Sequence, residues 1–109
     1  MSIRSEGKVV QMSPVALIVR LKIHQGREEE FQYELAEVLK QVRQEPACIS
    51  IAGHQDSDDP TSFMLFEVWE SHEAFVEFEQ GRQYLREYME RVTPWWSEPR
   101  DMSFWQTVA

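Results

Sequence analysis

An α+β fold with the element order β-α-β-β-α-β is the architecture this 109-residue chain predicts. Three observations point to it. Apolar residues alternate with period two in four short segments, they recur at helical spacing in two longer ones, and a dense run of turn formers separates the middle pair of strands. The length suits one domain, and 42% hydrophobic residues with 4 Trp, 6 Phe and 3 Tyr supply a packed core.

Residues 1–13 are polar and lack a sustained period, so they read as a flexible amino-terminal arm, with brief pairing through Val9 and Val10. The folded domain is expected over residues 14–109. After Pro14, Val15, Leu17, Val19, Leu21 and Ile23 line one face of an extended segment, and Ala16, Ile18, Arg20 and Lys22 the other. Gln25-Gly26 ends that strand. Glu28, Glu29 and Glu30 then place three acids where a helix amino-terminus carries positive partial charge, and Phe31, Leu35, Val38, Leu39 and Val42 form its inner stripe. Pro46 stops this helix near Glu45.

The second strand, C-I-S-I-A-G-H-Q, is expected to put Ile49 and Ile51 on one face. The turn run D-S-D-D-P-T joins it to a third strand, F-M-L-F-E-V-W-E, as a hairpin. Ser71 caps a second helix whose inner stripe is Ala74, Phe75, Phe78, Leu85, Tyr88, Met89 and Val92, weakened midway at Gly81. Thr93-Pro94 ends it, W-W-S-E-P-R forms a loop, and M-S-F-W-Q-T-V closes the chain as a fourth strand. The arrangement is ferredoxin-like, a four-stranded antiparallel sheet with both helices on one face. Its other face would expose Ile18, Ala52, Trp69 or its neighbours, and Trp105, an apolar surface that implies sheet-to-sheet homodimerisation.

Charge and composition exclude several functions. With 11 Lys+Arg against 19 Asp+Glu the formal net charge is -8, and no local basic cluster offsets it, so no nucleic-acid or membrane-surface partner is expected. No apolar run is long enough to span a bilayer, and M-S-I-R-S-E-G-K-V-V has no signal-peptide core, so a cytoplasmic location is expected. Cys48 is the single cysteine, and His24, His54 and His72 lack metal-pair spacing, so neither a disulfide framework nor a metal site is expected.

Several quoted segments, in their order and spacing, resemble the antibiotic biosynthesis monooxygenase domain. They are E-P-A-C at 45–48, H-Q-D-S-D-D-P-T-S-F at 54–63 and F-E-V-W-E-S-H-E-A-F at 66–75, with the strand ending before Gly26. The resemblance runs from Val15 to Val108. It implies a dimeric α/β barrel with a pocket between helices and sheet, and oxidation of a reduced aromatic by O2 without metal, flavin or haem. The chain departs from the family pattern at Ala47, where glycine is usual, and at Phe78 and near Gln83, where many members carry histidine. The positions that hold Asn, Trp and His in the haem-degrading branch match Val19, Phe78 and Tyr88, so haem degradation is not expected.

Among single residues, His54 at the end of the second strand is the acid-base candidate, and Tyr84 and Tyr88 can bind a phenol or quinone oxygen. Val19, Phe31, Phe66, Phe78, Trp95 and Trp96 are the candidate pocket lining, with one of the adjacent tryptophans closing it. Glu67, a lone carboxylate in an apolar strand, must find a partner or take up a proton, and Arg20 is the expected partner. Arg20, Glu67, Trp69 and Trp105 are read as structural or dimer-forming, and the acids of the first helix, through Glu45, as a solvated face. The function expected is a cofactor-independent monooxygenase acting on a small quinol- or polyphenol-like aromatic. The alternatives are a non-catalytic dimer that binds a small ligand, and a non-redox isomerase on the same scaffold.

Overall fold

The structure is a computed structural model. It describes the backbone of residues 2–5 and 8–11, and both backbone and side chains from residue 13 onward. Of the expected arm, β1 (Ser2–Ser5) and β2 (Lys8–Gln11) pair as an antiparallel hairpin with Val9 opposite Arg4 and Val10 opposite Ile3. The expected brief pairing of Val9 and Val10 is that hairpin, while residues 1, 6, 7 and 12 of the arm lie outside the described residues.

The domain is built from β3 (Val15–Lys22), α1 (Glu28–Val42), β4 (Cys48–Gln55), β5 (Ser62–Trp69), α2 (His72–Gly81), α3 (Gln83–Val92) and β6 (Asp101–Gln106). The four long strands form one antiparallel sheet in the order β4-β5-β3-β6, the ferredoxin-like arrangement, and the sheet is open at both edges. Gly26 turns the chain into α1 at φ +96°, a region L side chains rarely adopt. The stripe Phe31, Leu35, Val38, Leu39 and Val42 is buried, and α1 ends at Val42, three residues before the position expected from Pro46. The loop at 56–61 is organised by Asp59, which accepts hydrogen bonds from the Thr61 backbone at 3.0 Å and hydroxyl at 2.6 Å and from Ser62 at 3.0 Å, and also pairs with Lys22. These four donors hold the Asp59 carboxyl well below its ordinary range. The D-P-T motif is therefore a turn device.

The expected second helix is two helices. Ser71 caps α2, its hydroxyl accepting from the Ala74 N–H at 3.1 Å. The break falls at Arg82, in extended conformation (φ -104°, ψ 119°), one residue past the glycine expected to weaken it. Arg82 forms a fork on Glu45, Nε to Oε2 at 2.9 Å and Nη2 to Oε1 at 2.8 Å, and Tyr84 donates its hydroxyl to the same carboxylate at 2.6 Å. Glu45 is thus not part of a solvated face: its side chain is 11% exposed and it ties the α1–β4 turn to the α2–α3 joint.

Register decides which strand face meets the helices. Leu17 stands opposite Glu67, which stands opposite Ile51, so these three share the inner face, and Val15 and Trp69 share the next row. Trp69 is consequently fully buried in the core with Phe31, Leu17, Ile23 and Val92, not at the sheet edge or a dimer seam. Its ring meets Phe78 at 4.5 Å and Phe75 at 5.7 Å between centroids. Arg20 is opposite Met64 on the outer face, across the sheet from Glu67, and reaches Asp101 at 3.8 Å. The expected Arg20–Glu67 pair does not exist. A β-bulge between Cys48 and Ser50 turns Ile49 outward, where it is 55% exposed, while Ile51 stays buried. Ile18, Phe66, Val68 and Trp105 occupy the outer face, and no helix covers them.

Candidate functional site

Between the inner sheet face and the three helices lies a cavity of about 60 Å³. Its wall is mostly aliphatic and aromatic: Val19 and Leu21 from β3, Ile51 and Leu65 from the neighbouring strands, Leu35, Val38 and Leu39 from α1, Phe75 and Phe78 from α2, and Leu85 and Met89 from α3. Five polar-bearing residues interrupt that wall, namely Glu67, Glu79, Tyr88, Trp96 and Arg100. They are delivered by four pieces of chain, β5, α2, α3 and the loop that carries both Trp96 and Arg100, which is how a short sequence gathers polar groups in an apolar chamber.

Glu67 is the buried carboxyl among them. It is 6% exposed, and the only hydrogen bond to its side chain among the described residues comes from Trp69 Nε1 to Oε1 at 2.9 Å. The E-x-W spacing creates this bond, since residues two apart on a strand project side by side from the same face. Burial raises the Glu67 pKa, the Trp69 N–H opposes that rise, the Glu79 charge adds to it, and the Arg100 charge opposes it. Here is a carboxyl held in an apolar chamber with one lone partner. A group so placed exchanges a proton nearer neutrality than an ordinary glutamate does.

Tyr88, 6% exposed, lines the same chamber, and burial raises its pKa. Its hydroxyl has no hydrogen bond among those described. Trp96 also lines the chamber, and its Nε1 is buried without an acceptor among the described residues. Such an orphan N–H is uncommon in a folded interior and marks a place where a ligand oxygen would be stabilised. At the chamber's rim Arg100 Nη2 donates to Glu79 Oε1 at 2.8 Å, with side chains 29% and 30% exposed.

The expected site residues divide. Val19, Phe78, Tyr88 and Trp96 come together in the chamber wall. Trp95 turns the other way, over Glu29, Glu30 and Tyr33 of α1, so of the tryptophan pair one faces the chamber and its neighbour anchors the loop to the first helix. Phe31 is wholly buried against Phe63, centroids 4.9 Å apart, outside the lining, and Phe66 is 44% exposed on the outer face. Tyr84 is committed to Glu45, and burial together with that carboxylate raises its pKa. His54 is exposed on the outer face, opposite Met64, in a surface cleft shared with Arg20 and Asp101. Neither Tyr84 nor His54 reaches the chamber. Cys48 is partly buried, and its thiol is pushed up to about 11, chiefly by burial. Among the described residues no group of three His, Cys, Asp or Glu is placed to hold a metal ion, and no helix is long and apolar enough to cross a membrane.

Reading the sequence for a site singled out Glu67 but gave it a structural or dimer-forming role, and it missed Glu79 and Arg100. For Glu67 the signal was present: a carboxylate amid F-M-L-F-E-V-W demands an explanation. Glu79 and Arg100 left none, because charged residues on a helix and in a loop are ordinary.

The sequence profile of the family described as Antibiotic biosynthesis monooxygenase matches residues 14–90. An uncharacterized protein of Synechocystis sp., sll1783, is 25% identical over 93 residues, which cover 85% of this chain and 63% of that protein. The chain therefore spans less than two thirds of that relative's length. Among solved structures, a protein of Nitrosomonas europaea superposes with a TM-score of 0.84 at 21% identity, covering 91% of this chain and 94% of that one. Rv0793 from Mycobacterium tuberculosis gives 0.80 at 23% identity, covering 89% and 97%. SnoaB, a cofactor-independent oxygenase from Streptomyces nogalater, gives 0.75 at 16% identity, covering 87% and 93%. At these identities the superpositions speak for the fold.

Proposed function

Because the chain belongs to the antibiotic biosynthesis monooxygenase family, we propose that it is a cofactor-independent monooxygenase that oxidises a small quinol- or polyphenol-like aromatic with O2 in the chamber around Glu67. The observation that carries this reading is a buried carboxyl with a single hydrogen bond inside an apolar, aromatic-lined cavity. Glu67 as carboxylate takes the proton of a substrate hydroxyl, leaving an electron-rich phenolate that passes electrons to oxygen. Tyr88 donates a hydrogen bond to a substrate oxygen, and the apolar wall excludes water. For hydroquinone the balance is one ring and one O2 giving hydroxyquinone and one water, four electrons moving from the ring to oxygen. One aromatic ring requires about 150 Å³, so the chamber must widen to admit it, and the unbranched side chains of Met89 and Met102 in its wall are suited to that.

The working unit in this reading is a homodimer. Ile18, Phe66, Val68 and Trp105 form an apolar outer face, with Phe66 44% and Trp105 56% exposed, which a second copy covers through a two-fold axis. A lone cysteine fits a cytoplasmic setting.

Oxygen uptake across a panel of hydroquinones tests the proposal. Protein-dependent uptake is expected, falling about 100-fold in Glu67→Gln and about tenfold in Tyr88→Phe. No uptake on any member of the panel, or full activity in Glu67→Gln, overturns it. One observation favours a second reading, ligand binding without turnover: among the described residues no histidine lines the chamber. Saturable binding of the same compounds without oxygen consumption would establish that reading instead.

A further inference from the structure

We propose that Arg100 determines specificity at the rim of the chamber, selecting aromatic ligands that carry a carboxylate remote from the reacting hydroxyl, and that such ligands enter by displacing Glu79. This rests on the chamber being a ligand site, not on oxygen chemistry occurring in it.

The chamber restricts where charge can sit. The chamber wall is mostly apolar, and the carboxyl buried in it, Glu67, is an acid that repels an anion. Among the described residues Arg100 is the only cation in the lining, and it stands at the boundary with solvent. A ligand's ring and hydroxyl are therefore accommodated inside and its negative charge at the rim.

The chemistry of the rim pair suits exchange. Arg100 spends one N–H on Glu79 through a single-point contact at 2.8 Å, so the rest of the guanidinium fork is open to a ligand. A carboxylate can take two parallel N–H donors from that fork. Glu79, being 30% exposed, already meets water and returns to it when displaced, while the incoming carboxylate takes over its charge pairing with Arg100. A neutral ligand gains nothing from Arg100 while Glu79 neutralises it.

The pair is also a latch. Among the described side-chain hydrogen bonds it is the one that joins α2 to the segment entering β6, which carries Trp96 in the wall. Taking Arg100 away from Glu79 frees these two walls from one another as the ligand arrives. A chamber of about 60 Å³ requires that freedom.

The test compares 2,5-dihydroxybenzoate with hydroquinone, which share the hydroquinone ring and differ by one carboxylate. Binding is followed by calorimetry and by fluorescence of the tryptophans in and beside the chamber. Wild type is expected to bind the acid about tenfold tighter than hydroquinone. Glu79→Gln is expected to tighten the acid further. Arg100→Gln should abolish the preference, the two affinities becoming equal, and Arg100→Lys should keep part of it. Equal affinities in wild type, no binding of either compound, or a preference that survives in Arg100→Gln overturns the proposal. Failure of oxygen uptake with the preference intact would reject the monooxygenase reading alone.

Discussion

Trp69→Phe is the substitution that best probes the core of the site. The indole is fully buried, touches Phe75 and Phe78, and supplies the only hydrogen bond to the Glu67 side chain among the described residues. Exchanging indole for phenyl removes roughly 40 Å³, worth about 1 kcal/mol as cavity. Leaving Glu67 without its donor in the interior adds about 1–3 kcal/mol. The sum, about 2–4 kcal/mol, lowers the Tm of a domain of this size by roughly 8–16 °C. Thermal unfolding followed by circular dichroism at one fixed protein concentration measures it, since any self-association makes Tm concentration-dependent. Adding Glu67→Gln completes a double-mutant cycle, with a coupling of about 1–2 kcal/mol expected. A drop below about 3 °C accompanied by weaker self-association would refute the reasoning, because it would put the ring between subunits and not beneath the helices.

Two predictions follow from ionisation. Glu67 has a raised folded-state pKa, so wild type and Glu67→Gln should be closest in stability below the ordinary carboxylate range. As pH rises through the raised value, wild type must lose stability relative to the variant, because the folded state then carries a buried charge. Denaturant titrations from pH 4 to 8 give the difference, and a flat or opposite trend contradicts the assignment. Glu45 has the reverse sign: Arg82 holds its carboxyl below the usual range, so its stabilisation is full above the unfolded pKa and fades as pH falls through the folded one. Glu45→Gln should therefore lower Tm by about 4 °C at pH 7 and by progressively less in acid, an unchanged deficit at low pH counting against it.

How much of this was legible beforehand depends on the kind of information each feature needs. The element order of the domain apart from the break at Arg82, the inner stripe of α1, the Ser71 cap and the sheet's apolar outer face follow from periodicity and local chemistry, and the structure has them. The third long strand resisted reading because F-M-L-F-E-V-W is apolar on both parities. Its one charged residue lies on the inner face, opposite to the usual sense of alternation. That reversal misplaced Trp69 outside and gave Glu67 a false partner in Arg20. Ile49 was lost to a bulge, which shifts parity by one residue without any signature in C-I-S-I. At the site, Phe78, Tyr88 and Trp96 were legible as aromatic positions. The rim pair Glu79–Arg100 joins residues from a helix and a distant loop, and such pairing is a property of the packed chain alone.

The break at Arg82 has a mechanical consequence. A continuous helix along this edge would make Phe78 and Glu79 on one side of the joint move rigidly with Tyr88 and Met89 on the other. With one extended residue between α2 and α3, a rotation about its two backbone dihedrals changes the angle between the walls and breaks no bond inside either helix. Glu45, gripping Arg82 and Tyr84, holds the pivot in place while the levers swing. The chamber thereby possesses a degree of freedom for changing its volume that leaves the sheet untouched.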